Sequence, residues 1–420
     1  MVVTIPSSVT TIGEKSFENC SNLNDIVIPP SVETIGKNAF TGCYSLTNVT
    51  IPSSITSLED AIFDGCSSLK EITLPSSIIS ICAWSFSGCS SLERIILPSS
   101  VRSIGKYAFK GCSSLTQLTI PSSVTSISNH AFMRCTSLKE VSLPSKLLTI
   151  GNFAFKECQS LSCITIPSSV NKIGEGCFAS CSSLCEFIIP SSLTEIQSHT
   201  FECCTLLKRI EIPPSVTSIG DNSFDKCSSL LTISIPSSVA SIGRHAFSRC
   251  SMLSKVVIHS EIASFEDYLF QDCSALKEVE MLYEKSLKSI GNFTFSGCSS
   301  LLNFKIPESV EKIGWKAFDG CSSLTKINVP NKVTKIGDYT FAGCSSLKEI
   351  SFGVSLTSIG KRAFLGCSSL TTVSIPASIS IIDENAFSGC SSLVEICIPS
   401  SFDLSSNVGL DKKTKITRFK

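Results

Sequence analysis

The sequence predicts an α/β repeat solenoid: a parallel sheet along one side, short second strands and short helical or 3-10 turns elsewhere, in about seventeen repeats of 23 residues. Two observations predict it. An Ile/Leu-Pro step recurs at Ile5-Pro6, Ile28-Pro29, Ile51-Pro52, Leu74-Pro75 and Leu97-Pro98 and onward to Ile398-Pro399, at a 23-residue spacing broken by one 25-residue interval between Met281 and Ile306. The same apolar side chains also return at the same offsets. A fixed period of this length marks units that cannot bury their own apolar face and must stack on their neighbours.

Taking the Ile of Ile-Pro as position 1, the repeat from Ile120 carries apolar residues at 1, 5, 8, 13, 19 and 22 (Ile120, Val124, Ile127, Phe132, Leu138 and Val141) and Cys135 at 16. Its closing segment, L-x-x-V/I-x-I/L, alternates with period two and ends β-branched, as a strand buried on one face does. Proline at position 2 lacks an N–H and ends that strand. Ser-Ser turns the chain, and V-x-x-I suits a short second strand. Gly at position 9 (Gly13, Gly36, Gly105, Gly151) suits a left-handed or tightly bent corner. In A-F-x-x-C the Phe-to-Cys spacing of three places both on one face of a single helical or 3-10 turn. A strand-side spacing smaller than the helix-side spacing would curve the stack, with the sheet on the concave side.

One elongated repeat domain over residues 1–399 is therefore expected, irregular over 258–295, followed by a tail or partial cap over 400–420 in which Ile416 and Phe419 could cover the last rung. The 420 residues carry 35 basic and 35 acidic side chains, so formal charge is zero and no electrostatic footprint for nucleic acid is present. No apolar run reaches the ~20 residues of a membrane span. Met1 is followed almost at once by the end of a repeat strand, with no basic start and apolar core of a secretory leader. The chain as given therefore reads as cytoplasmic.

Of the 23 cysteines, those at position 16, from Cys20 and Cys43 through Cys135 to Cys390, should stack rung over rung. Parallel side-chain directions suit a ladder of buried free thiols and not the crossed geometry of disulfides. Cys177, Cys181 and Cys185 match no usual zinc spacing, and no metal or cofactor is expected. His130, His199 and His245 share position 11, an outward site on the turn, where they are expected as surface histidines without partners in adjacent repeats. Trp84 and Trp315 are expected as single aromatics. Asn48-Val49-Thr50 and Asn292-Phe293-Thr294 have the form of glycosylation acceptors.

L-x-x-I-x-I-P followed by S-S-V-x-x-I-G-x-x-A-F-x-x-C resembles the leucine-rich repeats of the BspA-like subclass, over residues 1 to about 399. The resemblance implies a right-handed arc. It also implies a location on the surface of bacteria or parasitic protists and adhesion to host proteins and cells. It brings no catalytic residues, and the chain is expected not to be an enzyme.

Function should lie where the repeat lapses. His259 replaces the proline, Phe265 the position-8 Ile, and Glu266-Asp267 the Gly corner, while Met281-Leu282-Tyr283-Glu284 replaces I-P-S-S with two extra residues before Leu287. Such insertions map to loops on one face of a solenoid. His259, Glu261, Glu278, Glu280, Tyr283, Glu284 and Lys305 are the candidate partner-binding residues, the partner being a protein or other host-cell or matrix macromolecule. Glu278 and Glu280 lie two apart on one strand face, ~6.5–7 Å by strand rise, a separation that would serve two-carboxylate glycoside hydrolysis. Lys255 and Lys305 on adjacent rungs make a charge-compensated ladder the simpler expectation. A structural element joining end to end is the remaining alternative.

Overall fold

In the computed structural model, which describes residues 1–404 and 407–420, the chain divides into two compact units, Met1–Ile210 and Glu211–Lys420. Each is a parallel-sheet solenoid built from the same coil. A coil contributes a three-residue strand before the Ile-Pro step and a two-residue strand after it. Gln117–Thr119 pairs with Glu140–Ser142 through Gln117↔Glu140, Leu118↔Val141 and Thr119↔Ser142. The short strands form their own ladder in the first unit, six coils deep from Ser57–Leu58 to Lys172–Ile173. Register is 23 residues at each of these steps because a slip of one residue would turn every buried side chain toward water. The separate ladder of three-residue strands lapses at residues 163–165, which form no strand.

The core is a set of columns. Phe132 and Phe155 stack at 5.3 Å between centroids and Phe155 and Phe178 at 5.7 Å, all three fully buried; Phe224–Phe247 at 5.2 Å repeats the contact in the second unit. Burial supplies most of the stabilisation and the offset stacking adds about 0.5–1.5 kcal/mol per pair.

The Phe-Cys segment is not a helical turn. Among the described residues there is no α-helix, and the single short 3-10 helix, Glu284–Ser286, falls in the irregular block. His130, Phe132 and Arg134 donate their N–H groups sideways to Asn152, Ala154 and Lys156 carbonyls of the next coil, at 2.9, 2.8 and 2.8 Å. A helix would direct those donors along its own axis. Left-handed backbone at His130 (φ 60°) and Arg134 (φ 63°) makes the sideways ladder, while Cys135 N–H closes back on Phe132 O at 3.2 Å. Non-glycine residues hold this costly conformation at position 11 in both units, for instance Trp84, Tyr107, His245 and Tyr339, with Gly176 standing there in one coil.

The position-9 glycines have another reason to exist. Their φ is not positive; they are where one coil touches the last. A Cβ on Gly314 would lie 2.5 Å from Asn292 N and from Gly291 C. Gly314→Ala is accordingly expected to cost about 2 kcal/mol in urea unfolding, whereas a cost within a few tenths would show that the contact relaxes freely.

Cysteine at position 16 is both packing and hydrogen bonding. Cys135 Sγ donates to Phe109 O at 3.1 Å and Cys158 Sγ to Phe132 O at 3.2 Å, so each Phe carbonyl accepts its own coil's Cys N–H and the next coil's thiol. The thiols are free, and burial pushes them up, Cys43 to about 11 and Cys135 and Cys181 to about 12. The serines have equally specific partners: Ser77 Oγ donates to Ile55 O at 2.6 Å, and Ser90 Oγ to Ser67 O at 3.4 Å. After Pro399 the chain returns once more, and Lys415–Phe419 pairs in parallel with Glu395–Pro399.

Candidate functional site

Side chains at positions 21 and 23 point away from the core, and in two places they build a surface. The first lies in the irregular block of the second unit. Because His259 and Leu282 stand where other coils have proline, each has an N–H to give. His259 donates to Ile235 O at 2.9 Å and Leu282 to Ile258 O at 3.0 Å. The ladder therefore runs one residue further, and Thr232–Ile235, Lys255–Ile258 and Glu278–Met281 are four-residue strands. The two extra residues that follow are taken up by the 3-10 turn Glu284–Ser286, which leaves Leu282 and Tyr283 each 52 % exposed.

The charges of this block sit on its outer face. Lys255 Nζ lies 3.2 Å from a Glu278 oxygen and 3.0 Å from a Glu280 oxygen. Hydrogen bonds to Glu280 and then Glu278 raise the lysine above its ordinary value. An ammonium thus occupies the space between the carboxylates, where a glycoside hydrolase keeps room for its sugar. Lys305 does not join this pair; it bonds Glu284 at 2.8 Å across the bulge. His259 is half-buried beside the buried Ser260, and Glu261 is exposed. Lys255, Glu278, Glu280, Tyr283, Glu284 and Lys305 thus belong to one outer surface of consecutive coils, its ion pairs exposed and worth ~0–1 kcal/mol each.

The second surface is a shallow groove of about 730 Å³ on the sheet face of the first unit, between Glu71 and Ser142. Arg94 reaches back to Glu71 at 3.2 Å along one side, and Ile96, 83 % exposed, stands in it among Thr73, Thr119 and Ser142. The alternation of Thr and Ser at position 23 marks these positions as exposed strand surface, and the isoleucine is the residue that such a surface does not require.

Sequence reasoning misses a third feature. The position-11 residues are partners, not singletons. Trp84 stacks on Tyr107 at 4.0 Å, Tyr107 on His130 at 4.4 Å and His130 against Phe153 at 5.1 Å. In the second unit His245 stacks on Tyr268 at 4.3 Å, Tyr268 on Phe293 at 4.7 Å, and Trp315 meets Phe293 edge-on. His199 instead bonds Glu202 at 2.9 Å. Of the two glycosylation acceptors, Asn48 is exposed on its strand. Asn292 Oδ1 accepts the Trp315 N–H at 3.1 Å and Thr294 is buried. No helix is long and apolar enough to cross a membrane, and no group of three or more His, Cys, Asp or Glu could hold a metal ion, among the described residues.

With this geometry in hand, comparison with known proteins places the repeat. A family model described as a BspA type leucine-rich repeat region, in six copies, matches residues 2–116, 102–230, 194–325, 280–394 and 311–419. A leucine-rich repeat protein from Bacteroides ovatus is 31 % identical over all of this chain and 92 % of its own, with a TM-score of 0.66. A leucine rich cell surface protein from Faecalibacterium prausnitzii is 27 % identical over 83 % of this chain and 86 % of its own, with a TM-score of 0.48. A leucine-rich repeat protein from T. pallidum is 32 % identical over 44 % of this chain and 78 % of its own, with a TM-score of 0.35. No curated protein matches.

Proposed function

Because the chain belongs to the BspA type leucine-rich repeat family, we propose that it is a non-enzymatic adhesion scaffold. Its protein partner docks on the outer face of the irregular block, and the resemblance supports action at a cell surface. The observation that carries this reading is the bulge after Met281: where other coils close with Pro-Ser-Ser, this one presents Tyr283 half-exposed beside the Glu284–Lys305 pair. A tyrosine placed at the start of a short turn and rimmed by charges has the make-up of an interface anchor, an apolar body with a polar tip in a charged surround.

The test is surface plasmon resonance of the whole chain against a panel of immobilised extracellular-matrix and cell-surface proteins. Tyr283→Ser/Glu284→Ser, which restores the regular residues, is expected to weaken the captured partner by about tenfold or more. Unchanged affinity in that variant, or no binding by the wild type to any member, overturns the assignment.

A further inference from the structure

The ring stack at Trp84, Tyr107, His130 and Phe153 carries lysines that form no close ion pair among the described residues. Lys110 Nζ lies 5.2 Å from the Trp84 centroid and 5.5 Å from that of Tyr107, and Lys156 Nζ lies 5.5 Å from Phe153. Lys106 is exposed on the same turn as Tyr107. Elsewhere in this unit cations pair across coils, as in Lys37–Asp60 at 3.1 Å and Arg134–Glu157 at 2.9 Å. Lys106, Lys110 and Lys156 make no such pair among the described residues. Of the nearby carboxylates, Asp64 is half-buried, bonded by Ser87 and feels Lys110 only at longer range, and Glu157 is held by Arg134. Between the lysines, His130 Nδ1 is buried without a hydrogen-bond partner. Burial and then Lys110, Lys156 and Lys106 hold this histidine below its ordinary value, so the ring stays neutral among the lysines.

We propose that this ring-and-lysine face of the first unit is a docking surface for a sulfated polysaccharide. Three features select that chemistry. Lys110 and Lys156 stand two coils apart, about 10 Å by two strand spacings, so their charges repeat along a straight line, as the anions of a stiff linear polymer do. The stack offers ring edges and lysine stems, an apolar shelf against which sugar C–H groups can lie, while the inner ring faces are covered by one another at 4.0–5.1 Å. Single-stranded nucleic acid binds by stacking bases on open aromatic faces, and those between the rings are closed. An acidic peptide would seek backbone partners, but the N–H groups of His130, Phe132 and Arg134 already bond the next coil. The site is separate from the bulge at Tyr283, and its failure would leave that assignment standing.

The experiment is calorimetric titration of the whole chain with a defined heparin oligosaccharide at low salt. The triple variant Lys106→Gln/Lys110→Gln/Lys156→Gln is expected to bind about tenfold or more weakly, and wild-type affinity should fall steeply with added salt. Lys326→Gln, which removes a lysine paired with Glu349 in the other unit, should bind as wild type; equal loss there would reduce the effect to general charge and overturn the proposal. So would wild-type affinity in the triple variant. Oligo(dT) or poly-glutamate binding as tightly as heparin would reassign the face to nucleic acid or to an acidic peptide. All three lysines lie on the turn surface, and an unchanged circular dichroism spectrum verifies that the variant is folded.

Discussion

Raising the pH from 8 to 10 is expected to unfold the protein cooperatively. The thiol ladder dictates this. Cys135 and Cys181 are held up at about 12 by burial, against an ordinary value of 9.0. Well below pH 9 these thiols are protonated in both the folded and the unfolded chain. Above it the unfolded thiols ionise while the buried ones cannot, so the unfolded state binds fewer protons and stability falls as pH rises toward the folded value. Each such thiol contributes a slope of about 1.4 kcal/mol per pH unit over that window. Further rungs, Cys112, Cys158, Cys298 and Cys321 among them, are raised the same way. With on the order of ten rungs acting together, one unit of pH removes an amount comparable with the ~5–15 kcal/mol that holds a domain folded. Thermal melts at half-unit steps between pH 8 and pH 10.5 check it. A melting temperature that stays level to pH 10 would mean that the ladder is hydrated or already ionised.

Phe155→Ala is expected to destabilise the first unit by about 3–5 kcal/mol in urea unfolding. Phe155 is fully buried and touches a ring on each side, so its removal opens a cavity between two coils and ends the column at Phe132 and Phe178. Neither neighbour can fill the gap, because each is fixed by its own backbone ladder, Phe132 N–H to Ala154 O and Phe178 N–H to Thr200 O. In a solenoid every contact is with an adjacent coil, so the lost interface is not recovered elsewhere. A loss below about 1 kcal/mol would show that the coils around residue 155 close up.

The period and the core were legible in the sequence because burial acts on side chains one at a time. Phe132, Leu138 and Cys135 return at fixed offsets whatever the backbone between them does. The backbone of the Phe-Cys segment was not legible. A spacing of three fits a helical turn and a closed i→i−3 turn equally, and the feature that separates them, left-handed φ at His130 and Arg134, is borne here by Trp, Tyr, His and Arg. The glycines at position 15, such as Gly42 and Gly65, were the available hint. Position 9 drew attention as a glycine corner when its real constraint is the approach of the preceding coil at Gly314. At the candidate site, register alone puts Lys255 opposite Glu278, whereas the Lys305–Glu284 pair depends on how two inserted residues fold. The aromatic column needed the repeats to be read downward: Trp84, Tyr107, His130 and Phe153 look solitary along the chain and are adjacent across it.

The sideways ladder has a direction. At Phe109 and again at Phe132 the amide hydrogen is handed to the coil that follows, while the carbonyl one residue earlier, on Ala108 and on Ala131, accepts from the coil before, so the seams between regular coils are polar and alike. A stretch of coding sequence lost or duplicated in whole periods would rejoin one such seam to another with donors, thiols and rings still facing their counterparts. The molecule's length is thereby left open to change by unequal exchange between copies of its own repeat, without a new interface having to arise.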